Sequence, residues 1–428
     1  MPYIGKSPSQ GVRNRYYYTV SAGATSVSGN DDNSNSLVFT DGEYVDVYLN
    51  GVSLVAGTDY NTNTANTISS ISAMALNDIV EVTVYDVFSV FSGNVNSDFS
   101  VGGALAVTGT STLTGSLAVT GDYSSTTSGT SNLRLGVNAG NSIASGGNYN
   151  VTIGDEAGTA LTTGDDNVAI GYAALDAEDT GSKSIAIGTN ALTAQNNDSN
   201  NYNIAIGHSA GLAITSGVRN VVIGGNALDA NTTGSKSVAI GYATLGAQNP
   251  ATATDMYNVA VGYEAGNAVT TGTDNTLIGA VSGDALTTGE RNVTLGYHAL
   301  GGDVAGNQTV AIGFAALSSQ NFSTSTISYN TAVGYVAGSS VTTGQYNTFV
   351  GNASGDAVTD ADENVAVGYN SLSSNTLGNR TVAIGTGALR DMNFTTATDS
   401  FNTAVGLSAG LSATTAQYST FIGGAAGD

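Results

Sequence analysis

The chain has 428 residues, of which 57 are Gly, 3 are Pro and none is Cys or Trp, and 10 basic against 33 acidic side chains leave a formal net charge of −23. Charged residues make up 10% where a globular domain carries about 25%, which fits neither an ordinary enzyme core nor a charged disordered chain; the lack of cysteine rules out disulfides and thiolate metal sites. The acid surplus repels phosphate and anionic lipid, so nucleic acid and membrane surfaces are poor partners, and neither an apolar signal segment at MPYIGKSPSQ nor a run of about 18 apolar residues is present.

Residues 1–92 carry ordinary strand signals and predict a compact β-domain. Lys6, Arg13 and Arg15 form a small positive arm, since the next basic residue is Arg134. The Tyr16–Tyr18 run has no interleaved cations of the kind a nucleic-acid stacking platform uses, and is expected in the domain core and at a strand edge. Tyr44, Asp46 and Tyr48 alternate with Val45, Val47 and Leu49, and Asn50-Gly51 then predicts a type I′ hairpin turn into Val52–Val55. Val80, Val82 and Val84 alternate with Glu81, Thr83 and Tyr85 in a further strand. Residues 93–131 are rich in Gly, Thr and Val and repeat LAVTG at Leu105 and Leu117; they predict a thin neck in which three chains wrap together, or else a flexible linker.

From residue 132 to 428 one unit, NVAIGYAAL, recurs in seventeen copies whose glycines run from Gly136 to Gly423, most often 17 residues apart. An aliphatic residue precedes each glycine, Ala, Ser or Thr follows three residues later, and then Gly or Leu. Asn, Ser or Thr opens each copy, as at Asn167, Ser184 and Thr381. Val168, Ala169 and Ile170 alternate large, small, large, which predicts a short strand with both large side chains facing the core. The glycine falls where a Cβ would obstruct a bend or a neighbouring backbone, and the Ala-Leu or Ala-Gly after it makes a second, narrower wall. Seventeen residues cannot bury a core alone, so the coils must stack into a β-solenoid or β-roll. Connectors such as ALTTGDDN are turns. Longer arms return at about every fourth copy and end in Tyr202, Tyr257, Tyr329 and Phe401, rings that either close the arm or pack on another chain, or else stack on carbohydrate.

The residue two before the glycine is Ala in ten copies: Ala169, Ala186, Ala205, Ala239, Ala260, Ala311, Ala332, Ala366, Ala383 and Ala404. On the strand assignment above these alanines point away from the core, where close approach of a second chain explains them better than water does; a threefold axis is the natural closure, and a homotrimer is expected.

Copies such as NVAIGYAAL, SVAIGYATL and NVAVGYEAG resemble the head repeats of trimeric autotransporter adhesins and of phage fibres that share them, over about 300 residues. The segments DGEYVDVYLNGVSLVAGTDYN and NDIVEVTVYDVF resemble the N-terminal module of bacteriophage tail fibres, especially those of marine cyanobacterial hosts. These resemblances imply an all-β homotrimer in the virion: an N-terminal domain that docks on tail adaptor or nozzle-type proteins, with Lys6, Arg13 and Arg15 as docking residues, and a shaft that reaches a host receptor, expected to be a glycan. The array runs to the final GGAAGD, which leaves room for a separate tip protein.

No catalytic residue and no cofactor is expected. The two histidines, His208 and His298, stand at wall positions just after a repeat glycine, and no G-x-S-x-G elbow is present. Glycan cleavage would use two acids flanking the scissile bond. Asp155 with Glu156, Asp165 with Asp166, Glu178 with Asp179, and the group Asp360, Asp362 and Glu363 are the candidates, but all lie in or beside turns, with no aromatic-rich insertion to form a cleft. The same acids carry no EF-hand or G-G-x-G-x-D spacing for Ca²⁺. A polysaccharide-cleaving spike would interrupt its coils, a non-viral adhesin would bring an export signal and a membrane anchor, and an ice-binding solenoid would carry regular T-x-T rungs. The expectation is therefore a structural tail fibre that binds and reaches.

Overall fold

A computed structural model describes residues 13–39, 41–85 and 128–428, in two compact units, Met1–Leu117 and Ala118–Asp428. Lys6 and the neck expected over 93–131 lie outside the described residues, apart from 128–131.

The first unit holds β1 (Arg13–Thr19), β2 (Val27–Ser28), β3 (Val45–Leu49), β4 (Val52–Ser53), β5 (Asn61–Thr64), β6 (Thr67–Ser69) and β7 (Ile79–Tyr85). One antiparallel sheet has the order β1-β7-β3-β4 and a smaller one β2-β6-β5. Alternation decides which side is buried: Tyr16, Tyr18, Val45, Val47, Val80, Val82 and Val84 face inward with Ile68 from the second sheet, while Arg13, Arg15 and Asp46 face out. The predicted hairpin is present, with Leu49 opposite Val52 and both turn residues at positive φ, Asn50 at 48° and Gly51 at 80°, as a type I′ turn requires. The tyrosine run lies on β1, an edge strand, with Tyr16 and Tyr18 in the core.

The second unit is a parallel β-solenoid of seventeen coils. Each coil contributes one three-residue strand, from Leu133–Leu135 to Thr420–Ile422, and each strand pairs in parallel and in register with the next, as Val168 does with Ile185 and Ile170 with Ile187. Among the described residues this ladder has two free ends and the outermost strands do not pair with one another.

The strands face the opposite way from the sequence expectation. Ala169, Ala186, Ala205, Ala239, Ala260, Ala311, Ala332, Ala366, Ala383 and Ala404 are fully buried inside their own coil, and the aliphatic residues on either side of them point outward and are half-exposed. The alanines therefore do not form an outward surface for a second chain. The reason is volume. A coil is only two walls thick, and the far wall already sends in Leu175, Leu192, Leu228, Leu245, Leu300, Leu317, Leu372 and Leu389, all fully buried. A Leu or Phe opposite such a leucine would overfill the coil, and in these eight coils the inward strand residue is Ala or, at Val222 and Thr294, no larger than Val. Where the inward strand residue is large, the far wall shrinks to match. Phe349 is fully buried, and Cβ atoms added at Gly338 and Gly355 would come within 2.7 and 2.4 Å of its ring.

The repeat glycines sit at φ between +115° and +145°, which side chains rarely adopt. At Gly313 an added Cβ would stand 2.1 Å from the carbonyl oxygen of Gly334 in the next coil, so the glycine column also sets how closely coils stack.

A buried amide ladder runs along the axis. Asn347, for example, accepts from the backbone N–H of Asn364 at 3.0 Å through Oδ1 and donates to the carbonyl of Ala361 at 2.8 Å through Nδ2. The ladder changes hands where the opening residue is Ser184, Ser237 or Thr309: Gln195, Gln248 and Gln320, from the base of each long arm, take a hydrogen bond from the next asparagine at 2.8–2.9 Å and donate to the Ser or Thr hydroxyl at 2.8–3.1 Å. In the fourth arm Met392 Sδ accepts from Asn402. The sequence superperiod is thus a division of labour between a short hydroxyl residue and a long amide from an insertion.

Candidate interaction face

Among the described residues of the shaft, the exposed large apolar side chains gather on the outward side of the strand ladder and along its borders. Its outward strand positions are aliphatic or, at Thr276, Thr331, Thr348, Thr403 and Thr420, threonine, and none is charged. Two columns border it. The leading column is the residue just before the buried Asn, Ser or Thr of each coil, and the trailing column is the residue just after each repeat glycine.

The leading column mixes rings and cations. Along the axis it contains Lys183, Tyr202, Arg219, Lys236, Tyr257, Asp274 and Arg291, and later Tyr329, Tyr346, Glu363, Arg380, Phe401 and Tyr418, all at φ between +49° and +65°. It takes five of the seven basic residues that follow residue 131. Lys183 and Lys236 lie over the rings of Tyr202 and Tyr257 at 5.4 and 4.9 Å, and Arg380 over Phe401 at 5.5 Å. Lys236 Nζ also donates to Asp255 Oδ2 at 2.5 Å and to Tyr257 Oη at 2.9 Å; these bonds hold the ammonium above its ordinary pKa and Asp255 below the usual carboxylate range. Arg380 binds both Glu363 and Asp399.

The trailing column is aromatic in long stretches. Tyr242 stacks on Tyr263 with ring centres 5.7 Å apart, and Tyr297, Phe314 and Tyr335 form a continuous stack at 5.3 and 5.2 Å. His208 and His298 fall in or beside this column; His298 Nδ1 is 3.9 Å from Asp284 Oδ1.

The four arm-ending rings expected to contact either chain or glycan, Tyr202, Tyr257, Tyr329 and Phe401, all lie in the leading column at 46–50% exposure. Tyr329 is flanked by Tyr346 at 5.5 Å, and Phe401 by Arg380 and, at 5.3 Å, Tyr418. Each of these rings thus has a cation or a second ring as its neighbour along the column.

The candidate acids serve the coils separately. Asp155, Asp165 and Asp362 accept backbone N–H groups of the preceding coil, Asp360 accepts from Thr342 and Thr343, and Glu363 pairs with Arg380. Glu178 is fully buried and accepts from Gly181 N, Gln195 Nε2 and Asn201 Nδ2 at 2.8–2.9 Å, which clamps the first arm. Asp303 does the same for the third arm through Gly306, Gln320 and Phe322. Burial without a cation raises the pKa of both. Among the described residues no three His, Asp or Glu side chains converge as a metal site. In the first unit, Arg15 pairs with Glu81 on the exposed side of β7 at 3.2 Å, and Arg13 is exposed beside it.

Sequence reasoning missed Asp303 and the arm glutamines, and read Glu178 as a candidate acid rather than a clamp. Their signal was present: Gln248, Gln320 and Met392 recur 72 residues apart, as do Asn231, Asp303 and Asn375, and Ser237, Thr309 and Thr381. Compared with models of known protein families, with curated proteins and with solved structures, the chain matches none.

Proposed function

We propose that the chain is the subunit of a homotrimeric bacteriophage tail fibre: the N-terminal domain attaches to adaptor or nozzle-type proteins of the tail, and the solenoid is a stiff shaft that carries host recognition outward to a cell-surface glycan. One observation carries the assembly part of this reading. Among the described residues of the shaft, every exposed large apolar side chain lies on the outward strand face or its two bordering columns, except Ile327 on an arm. A chain of net charge −23 that gathers its exposed apolar groups into one lengthwise face has a face to be covered. Further copies of the same chain, stacked with the same coil spacing, fit it along its whole length.

Shaft stiffness follows from the continuous strand, glycine and amide ladders, and reach from seventeen coils at about 4.8 Å each, roughly 80 Å. Several fibres on one virion would gain avidity where single contacts are weak. The separate engagement of the carboxylates supports binding rather than cleavage. Light scattering tests the assembly: a mass near three chains of 42.6 kDa is expected, and a monomer would overturn it. Antibody against the N-terminal domain should label the tail of the virion, and purified fibre should compete with the virion for host cells; failure of both overturns the fibre reading.

A further inference from the structure

We infer that the trailing column holds two binding slots for an organic ammonium group, one between Tyr263 and Tyr297 and one between Tyr335 and Tyr369. The inference goes beyond the fibre reading and needs neither the trimer nor the tail.

A ring is missing from the column at Ala280 and at Asn352, and these are the two gaps with a tyrosine in the coil on either side. They lie 72 residues apart, one superperiod. Tyr263 stacks on Tyr242, and Tyr297 and Tyr335 stack on the two sides of Phe314, so each of these tyrosines turns its other face toward a gap. Two coils of about 4.8 Å separate the tyrosines of each pair, so a cation midway stands about 5 Å from both ring centres, within the roughly 6 Å reach of cation–π attraction. The leading column shows this chain using the same contact: its own Lys183, Lys236 and Arg380 lie 4.9–5.5 Å from ring centres. The trailing rings have no such lysine or arginine among the described residues.

Charge selects the occupant. Each gapped coil carries an aspartate five residues after its repeat glycine, Asp284 and Asp356, at a place that is Asp in only three other coils. Their Oδ1 atoms are the only carboxylate oxygens among the described residues that are buried without a hydrogen-bond partner. Burial raises the pKa of both, and no lysine or arginine offsets it, as expected of a carboxylate desolvated without a counter-charge. In the first slot His298 joins acid to ring: its ring centre is 6.3 Å from that of Tyr297, and its Nδ1 is 3.9 Å from Asp284 Oδ1. Glu264, next in sequence to Tyr263, adds a second negative charge near Asp284. Two π faces beside an unbalanced carboxylate favour a cation over a neutral sugar or an anion. In each coil the strand precedes the column and the aspartate follows it, which places the charge beyond the column from the strand face that further copies would cover.

The test uses the full chain, with choline as the probe. Equilibrium dialysis should show saturable binding of choline, and its neutral isostere 3,3-dimethylbutan-1-ol should bind about tenfold more weakly. A280Y with N352Y fills both gaps with the ring that the column carries at Tyr242 and Tyr263, and should abolish choline binding while the mass by light scattering stays native. Should the filled variant lose its native mass, Y297A with Y369A removes one wall from each slot and should weaken choline about tenfold. D284N with D356N leaves the rings in place and should also weaken it about tenfold. Equal binding of the isostere, or native affinity in D284N with D356N, would overturn the choice of a cation. Undiminished binding in a natively assembled A280Y N352Y variant would overturn the location, and no choline binding by the native chain would overturn the inference outright. The oligomeric state and the attachment to a tail are read by other measurements, so failure here leaves the fibre reading standing.

Discussion

The N-terminal domain and the shaft apply the same alternation rule with opposite results. In β3 and β7 the alternate residues are polar or charged apart from Ile79 at the start of β7, so the valines must be inside, and Val47, Val80 and Val82 are. In the shaft the alternate residue is alanine, neither side of the strand is polar, and the larger pair lies outside. Alternation tells which residues share a face; it does not tell which face the chain covers itself. Where both faces are apolar, the inward one is set by the volume left by the opposite wall, and the outward one is left for other molecules.

The largest test of this contrast is at the backbone. Gly313→Ala places a Cβ at φ +133° against the next coil's carbonyl and should cost about 4 kcal/mol by thermal denaturation. Gly23→Ala in the N-terminal domain, at φ +84° with open space around it, should cost about 1 kcal/mol. Equal costs would mean that the glycine column does not set coil spacing.

The facing itself is tested next. Ala311→Leu should destabilise the shaft by about 3 kcal/mol, because Leu300 and Leu317 fill the room that Gly338 and Gly355 leave for Phe349. Ile312→Thr, on the outward side, should change the melting of the isolated chain by less than about 0.5 kcal/mol while weakening association measured by sedimentation. The opposite ranking would restore the outward alanines. Asn347→Ala should cost about 2 kcal/mol, because the N–H of Asn364 and the carbonyl of Ala361 lose a buried partner; hydrogen exchange should quicken first in those two coils.

The smallest effect is a pH dependence. Glu178 and Asp303 have folded-state pKa values raised by burial, so their contribution to stability is full at acid pH, below the unfolded values, and is lost as pH rises through the folded ones. The double variant Glu178→Gln, Asp303→Asn should therefore lose less stability than the native chain between acid and neutral pH, as followed by denaturation midpoints. Asn231 and Asn375 occupy the matching positions of the other two arms, so an amide fits there.

Much of the fold is legible in the sequence because stacking repeats one local solution. Seventeen spaced glycines give the coil, the Asn-Gly pair gives the hairpin, and the valine alternations give two strands of the N-terminal sheet. The strand's facing was not legible, because Val-Ala-Ile constrains parity and not burial. The leading column escaped notice for another reason. Lys183, Arg219, Lys236, Arg291 and Arg380 lie far apart in sequence, and they become one column only when insertions of different length are looped out and the buried Asn, Ser or Thr is used as the ruler.

The handover in the amide ladder bears on how such a shaft can change length in descent. A coil that opens with Ser or Thr uses the long side chain of its arm to reach the next asparagine, whereas a coil that opens with Asn passes the ladder on directly. Duplication or crossing-over within a block would part the two and strand a buried amide. Exchange of a whole block from one arm to the next, 53 residues from Gln195 to Gln248 and 72 from Gln248 to Gln320, keeps clamp, hydroxyl, arm and ring together, so the unit that can be gained or lost without stranding an amide is three or four coils rather than one.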